Sequence, residues 1–78
     1  VTVRLNAGLR RYRPALGIGE ALPLHVPEGT NLKELLSRIL QISPEEVAFL
    51  LVNGIKCSLD EPLAAGDRVA LWPPVAGG

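Results

Sequence analysis

Cysteine, histidine and methionine are scarce in this chain of 78 residues, which has one Cys, one His and no Met. The lone Cys57 cannot form a disulfide within the chain or build a four-thiolate zinc or iron–sulfur site. His25 does not complete a metal-ligand set either. We therefore expect no bound metal and no disulfide framework, and the cysteine usage favours a reducing, cytoplasmic setting.

Excess charge and long apolar runs are also missing. Eight basic and eight acidic residues give a formal net charge of zero, whereas a general nucleic-acid binder usually carries a basic excess. No apolar run approaches the ~20 residues that cross a bilayer, and no signal peptide is visible. The sequence predicts a protein that binds neither nucleic acid nor membrane.

Enough apolar residues are present for one small core, since 47% of the chain is hydrophobic. A domain of this size buries only roughly 60% of the surface that its unfolded chain exposes. It has no room for a deep, enclosed active site. We predict one domain over residues 1–72 and a flexible tail over residues 73–78.

The first half of the chain predicts two strands separated by a long connection. Residues 1–6 alternate apolar and polar side chains, and residues 20–26 repeat that pattern. Pro23 cannot donate a ladder hydrogen bond, which places the second strand at a sheet edge. Glycines and prolines among three arginines predict a solvated connection over residues 7–19.

A well-defined helix is predicted next. Asn31 and Glu34 have the spacing of a reciprocal capping box. The apolar residues that follow have helical spacing and form one stripe, which comprises Leu32, Leu35, Leu36, Ile39 and Leu40. A second, short helix is predicted by Ser43 as a cap, Pro44 at the first helical position and Glu46 three residues after the cap.

The second half of the chain predicts three strands. Residues 49–52 read as a buried strand, and Asn53-Gly54 is a strong hairpin signal that leads into residues 55–57. The last strand covers residues 68–72 and ends at Pro73-Pro74, which have no N–H groups to pair.

This order predicts an α+β fold of the β-grasp (ubiquitin-like) type. We expect a mixed sheet of four to five strands with one main helix packed across it. In such a roll the first and last strands lie parallel at the centre of the sheet.

Five segments resemble a known family: Asn53-Gly54, residues 59–60, residues 62–63, residues 66–69, and the ending Pro-Pro-Val-Ala-Gly-Gly. They are similar to the small subunit of molybdopterin synthase and, more broadly, to the sulfur-carrier family shared with the thiamine-pathway carrier. The resemblance is specific over residues 52–78 and greatest over the last six. That ending is closer to the molybdopterin branch than to the thiamine branch.

The resemblance implies a function for the chain end. In the family an E1-like adenylyltransferase activates the terminal carboxylate with ATP, and a sulfur-donating persulfide protein converts it to a thiocarboxylate. Here the reacting residue would be Gly78, and the larger subunit of molybdopterin synthase would hold the catalytic groups. The chain would not itself be an enzyme, and ATP or AMP would be present only as the transient adenylate.

Other assignments remain open alongside this one. The chain also fits a thiamine thiazole sulfur carrier, or a ubiquitin-like modifier joined to lysines through Gly78. A plain interaction domain with an inert tail is a further possibility.

The residue types of the tail suit delivery into another protein. A free α-carboxylate is ionised at neutral pH and needs activation before it can accept a nucleophile. Glycines lack Cβ atoms and fit a narrow channel, while prolines stiffen the base of the tail. No ionisable side chain follows Arg68, so a dry pocket would desolvate no side-chain charge. The tail consists of Pro73, Pro74, Val75, Ala76, Gly77 and Gly78.

A docking surface is predicted beside the tail. The alternation in the last strand turns Trp72 away from the core-facing Val69 and Leu71, where Trp72 can join Phe49 or Leu51 in an apolar patch. The alternative is that Trp72 only covers the sheet edge.

The remaining chemical candidates are weaker. Cys57 is more readily a small buried hydrophobe than a persulfide relay, and the alternation turns His25 toward solvent. Arg10, Arg11 and Arg13 suit a solvated loop better than an acidic partner. Gly17 and Gly19 do not continue into a dinucleotide-binding motif.

Overall fold

The fold is built on a five-stranded mixed sheet. The structure is a computed structural model that describes residues 1–17 and 19–74. The strand order is β2-β1-β5-β3-β4. Strands β1 and β5 pair in parallel and the other neighbours are antiparallel. The strands are β1 (Thr2–Leu5), β2 (Leu22–Pro23), β3 (Phe49–Val52), β4 (Ile55–Lys56) and β5 (Arg68–Trp72). The predicted element order and the central parallel pair are confirmed.

One face of the sheet is buried because its apolar residues alternate along each strand. Val3 pairs with Val69 and Leu5 with Leu71, and all four side chains lie in the core. The fully buried residues of the helical layer are Leu9, Leu32, Leu35, Leu36, Leu40 and Ile42. The helix therefore covers one face of the sheet and leaves the other open.

The helical layer begins at the predicted capping box. The Glu34 N–H donates to Asn31 Oδ1 at 2.8 Å, and the Asn31 N–H donates to Glu34 Oε1 at 3.3 Å. Helix α1 (Leu32–Glu34) then continues as a π-helical segment, Leu35–Leu40. The apolar stripe was predicted correctly, whereas the π-helical hydrogen bonding of Leu35–Leu40 was not predicted.

A left-handed residue ends this segment. Gln41 has a φ of 57°, and its backbone N–H and that of Ile42 both donate to the carbonyl oxygen of Leu36. The turn brings Ile42 into the core, where it is fully buried. Burial of one more apolar side chain offsets the cost of a non-glycine residue at positive φ.

The prediction of a solvated connection over residues 7–19 was wrong for residues 7–12. Ala7–Tyr12 forms a 3-10 helix, and its Leu9 is fully buried. The Tyr12 hydroxyl donates to the Glu46 carboxylate, and Arg11 forms an ion pair with the same carboxylate at 2.7 Å. These contacts tie the segment to the second predicted helix, a 3-10 turn over Pro44–Glu46.

Three smaller predictions also need correction. Ser43 makes no side-chain cap hydrogen bond at that 3-10 turn. Strand β3 is buried on one face only, since Phe49 is 40% exposed. Strand β2 is a two-residue edge strand instead of spanning residues 20–26, although Pro23 lies at the edge as predicted.

The Asn53-Gly54 turn forms as predicted. Both residues have positive φ, 53° and 81°, which is the geometry of a type I′ hairpin. The Asn53 side chain also donates to Asp67 at 2.9 Å and accepts from the Arg68 N–H at 3.0 Å. These bonds join the turn to the start of β5.

Asp67 completes this network with a bond to the neighbouring loop. Its second carboxylate oxygen accepts from the Ala64 N–H at 2.8 Å. The bonds from Ala64 and from the Asn53 side chain stabilise the ionised carboxylate and lower the pKa of Asp67 below its ordinary value.

None of the helices in the described part of the chain has the length and apolar composition that crossing a bilayer requires.

Replacement of Asp67 is expected to destabilise the fold in a pH-dependent way. Because the pKa is lowered in the folded state, the stabilisation is present above the ordinary value of 3.8 and is lost as the pH falls through the folded-state value. Solvent screening near the surface keeps the effect of Asp67→Ala at about 1 kcal/mol at pH 7. Urea unfolding at pH 7 and in acid measures it. Asp60→Ala is the control, and an Asp67→Ala effect independent of pH would contradict this assignment.

Loss of the capping box is expected to weaken the helical layer. Asn31→Ala removes the acceptor for the Glu34 N–H and should lower the free energy of unfolding by about 1 kcal/mol. Asn31→Ser keeps a capping oxygen and is the matched control, with most of the stability retained. Equal losses in the two variants, measured by thermal unfolding, would contradict a stabilising role for the capping oxygen.

Candidate functional site

Two aromatic rings pair on the open face of the sheet. Phe49 on β3 lies opposite Trp72 on β5, and the ring centroids are 5.5 Å apart at an interplanar angle of 69°. This edge-to-face arrangement is a favourable one for aromatic side chains. The structure therefore brings together the two aromatics that the sequence places on this face.

The apolar centre of the open face consists of this aromatic pair and the next cross-strand pair on the same face. Leu51 is directly opposite Ala70, and both side chains are half-buried. Each lies two residues from an aromatic on its own strand, so all four project from the same face. Trp72, Phe49 and Leu51 therefore lie on one face, as the alternation predicted, and Ala70 lies there with them. Their use as a docking surface stays a prediction.

The patch adjoins the base of the tail. The Trp72 carbonyl accepts from the Ala48 N–H at 3.0 Å, so β5 is paired through its last residue. Pro73 and Pro74 follow directly outside the strand. The remaining tail positions predicted from the sequence, residues 75–78 with the reacting carboxylate of Gly78, lie outside the described residues.

Basic side chains border the patch, a feature that the sequence analysis did not recognise. The Lys56 Nζ lies 5.5 Å from the centroid of the Phe49 ring, which is within cation–π range. Arg4 on β1 lies beside Ala70 in the parallel register. Period-two alternation assigns these side chains to the open face, but only the strand register shows that they flank the apolar centre.

The other residues considered from the sequence are not part of this patch. Cys57 packs partly against the core, with its thiol 3.3 Å from the carbonyl oxygen of Ile55. His25 is exposed, as predicted. Within residues 1–17 and 19–74, no group of three His, Cys, Asp or Glu side chains gathers in a way that would hold a metal ion.

The arginines near the N-terminus bind the chain itself. Arg13 donates to the Leu40 carbonyl and Arg10 to the Leu16 carbonyl, each at 3.4 Å. Arg11 pairs with Glu46. The assignment of Arg10, Arg11 and Arg13 to a merely solvated loop was therefore wrong, because these contacts hold the 3-10 segment in place.

The exposed aromatic is expected to matter little for stability. Phe49→Ala should lower the free energy of unfolding by about 1 kcal/mol, a value typical of an aromatic pair. Its neighbour Leu50 is buried on the opposite face, and Leu50→Ala should cost about 2–5 kcal/mol. Urea unfolding of both variants measures the difference. Equal losses would mean that Phe49 is a core residue and not part of an available surface.

Comparison with known proteins identifies the family of this chain. The ThiS family model matches residues 3–78, which includes the strands of the open face and the Gly77-Gly78 end. Protein RnfH of Cereibacter sphaeroides (strain ATCC 17029 / ATH 2.4.9) is 42% identical over 55 residues. That alignment covers 64% of this chain and 65% of RnfH, so the match spans less than two thirds of the relative.

Two solved structures have a similar fold. SAMP1 from Haloferax volcanii superposes with a TM-score of 0.71 at 24% identity, over 99% of this chain and 97% of SAMP1. The Pyrococcus furiosus protein described as molybdopterin converting factor, subunit 1, gives a TM-score of 0.69 at 25% identity, over 95% of each chain. The predicted β-grasp fold is confirmed. With a family match that covers nearly its whole length, the chain belongs to the ThiS family and has the fold of a ubiquitin-like sulfur carrier.

Proposed function

We propose that this chain carries sulfur as a thiocarboxylate on Gly78 and donates it inside a larger enzyme. The observation that carries the proposal is the family match through residue 78 on a roll whose last strand leads directly into the tail. The proposal requires Gly78 to be the last residue of the mature protein. The chain then acts as a reagent, and its partners supply the catalytic groups.

The chemistry begins with activation. The Gly78 carboxylate attacks the α-phosphorus of ATP on an E1-like adenylyltransferase, and pyrophosphate leaves. A persulfide sulfur from a donor protein then attacks the carbonyl carbon and displaces AMP. Cleavage of the resulting acyl disulfide by a thiol leaves the thiocarboxylate, with the second sulfur retained in the disulfide that forms.

The sequence of the last residues supports this use. After Arg68 no residue has an ionisable side chain, so a tail entering a dry pocket would leave only its terminal group to desolvate. Gly78 is the sixth residue after Trp72, and an extended chain of six residues reaches at most ~20 Å. A tail of that length can reach a buried active site of a partner while the folded domain stays outside.

For the sulfur acceptor we propose the pterin precursor of the molybdenum or tungsten cofactor. The large subunit of molybdopterin synthase would bind the roll and receive the tail. The ending Pro-Pro-Val-Ala-Gly-Gly and the similarity to the Pyrococcus furiosus protein support this choice. Supplying the thiocarboxylated chain separately to pterin and thiazole precursors, each with its synthase, would distinguish this acceptor from the thiamine pathway.

Intact-mass analysis tests the carrier chemistry. The chain is incubated with ATP, the adenylyltransferase and a persulfide donor. It should gain the mass difference between sulfur and oxygen, confined by fragmentation to Gly78. Deletion of Gly77 and Gly78 should abolish the gain, because the activated carboxyl group is then displaced from its position.

The matched control is Cys57→Ala, which removes the only thiol of the chain. Because the sulfur is proposed to sit on Gly78, this variant should gain the same mass as the wild type. A gain that disappears in Cys57→Ala but persists without Gly77 and Gly78 would identify a cysteine persulfide and refute the proposal. A mature protein that continues past residue 78 would refute it as well.

A further inference from the structure

Asn53 differs from the other asparagines of the chain because a glycine follows it. The other two, Asn6 and Asn31, precede residues with a Cβ atom. The backbone nitrogen of the next residue can attack an asparagine amide, and glycine leaves that nitrogen accessible because it lacks a Cβ. Asn53 and Gly54 are both exposed, and beyond the adjacent residues no heavy atom lies within 4 Å of where a Cβ on Gly54 would stand. This turn therefore has the chemistry and the exposure of a site that can lose its side-chain amide.

The reaction is a hydrolysis in two steps, with water as the co-reactant. The Gly54 backbone nitrogen loses its proton and bonds to Asn53 Cγ, while the bond from Cγ to Nδ2 breaks and ammonia leaves with that proton. The product of this step is a succinimide ring. Water then opens the ring at Cγ, which gives aspartate, or at the main-chain carbonyl carbon, which gives isoaspartate.

The folded chain holds the Asn53 amide at both of its polar atoms. Nδ2 donates to an Asp67 carboxylate oxygen at 2.9 Å, and Oδ1 accepts from the Arg68 N–H at 3.0 Å. The backbone N–H of Asn53 donates to the Arg68 carbonyl oxygen at 2.7 Å. To present Cγ to the Gly54 nitrogen, the amide has to rotate and release these side-chain bonds. Each bond that is lost on the way adds to the barrier for ring closure.

Asp67 cannot follow the amide as it rotates, because the aspartate is itself held. Its second carboxylate oxygen accepts from the Ala64 N–H at 2.8 Å, and its backbone N–H donates to the Ala64 carbonyl oxygen at 3.1 Å. The next residue, Arg68, begins β5. The acceptor for the Asn53 amide is therefore fixed to the central part of the sheet and is not part of the turn.

Either product of the reaction is incompatible with these contacts. Aspartate at position 53 loses the Nδ2 donor and places a second carboxylate beside Asp67, where like charges repel. Isoaspartate adds a backbone atom to a two-residue turn whose length sets the register of β3 and β4. Both products weaken the hairpin and its connection to the start of β5.

We propose that Asn53 is a deamidation site at which the hydrogen bond to Asp67 keeps the reaction slow in the folded chain, and whose products destabilise the hairpin. The inference is independent of the sulfur-carrier function. Refolding does not restore the amide, so the reaction at this turn limits the chemical lifetime of the fold.

Incubation of the complete chain at mildly alkaline pH, followed by peptide mapping, tests the site. Conversion is read at each asparagine as the mass difference between a hydroxyl and an amino group. Asn53 should react while Asn6 and Asn31 stay intact. Asp67→Ala should speed the reaction of Asn53 about fivefold, which corresponds to about 1 kcal/mol for one lost hydrogen bond.

Two variants separate this restraint from a general loss of stability. Asn31→Ala is expected to destabilise the fold by a similar amount without touching the turn, and Asp60→Ala removes the same charge elsewhere. Both should deamidate at Asn53 within about twofold of the wild-type rate, because distant sites act independently. Urea unfolding verifies that each variant is folded under the conditions of incubation.

Several results would overturn the restraint. They are an unchanged or slower rate in Asp67→Ala, an equal acceleration in Asn31→Ala, and a wild-type rate as fast as that of a synthetic peptide of residues 51–56. Faster conversion at Asn6 or Asn31 than at Asn53 would overturn the assignment of the site.

The effect of the products is measured separately. Deamidated chain, isolated from the wild type by its additional negative charge, should unfold at a lower urea concentration than the intact chain. Asn53→Asp reproduces the aspartate product and should shift the midpoint in the same direction. An unchanged midpoint in both samples would refute the destabilisation of the hairpin.

Discussion

The parallel pairing of β1 with β5 is the constraint on which the rest of the structure depends. It joins residues from opposite ends of the chain, and the Asn6 side chain extends the connection by donating to the Leu71 carbonyl at 3.0 Å. Valine and leucine pairs from both strands then form the floor of the core beneath the helix. Because β5 lies between β1 and β3, the tail starts from a strand that is paired on both sides.

One-sided burial is the main consequence of this arrangement. The helix and the 3-10 segment cover one face, so every second residue of each strand remains available on the other. On that face β3 and β5 place two aromatic rings in contact at the point where the tail begins. Core packing and surface exposure are thus assigned to alternate residues of the same strands.

The first connection shows how a short segment with little apolar content still becomes ordered. Leu9 supplies one buried anchor, while Tyr12 and Arg11 converge on Glu46 across the molecule. A search for apolar periodicity does not detect such a segment, because one buried residue forms no repeating pattern. The contacts that order it come from residues more than thirty positions away.

Local signals in the sequence were sufficient for the order of the strands and of the main helix. The capping box at Asn31, the Asn53-Gly54 turn, the alternation in β5 and the Pro73-Pro74 break each depend on chemistry within a few residues, and each was read correctly. Only the tertiary structure decided the π-helical turn, the burial of Leu9 and the cations around the apolar centre. These features arise from strand register and from packing between distant segments, and neither is encoded in the spacing of neighbouring residues.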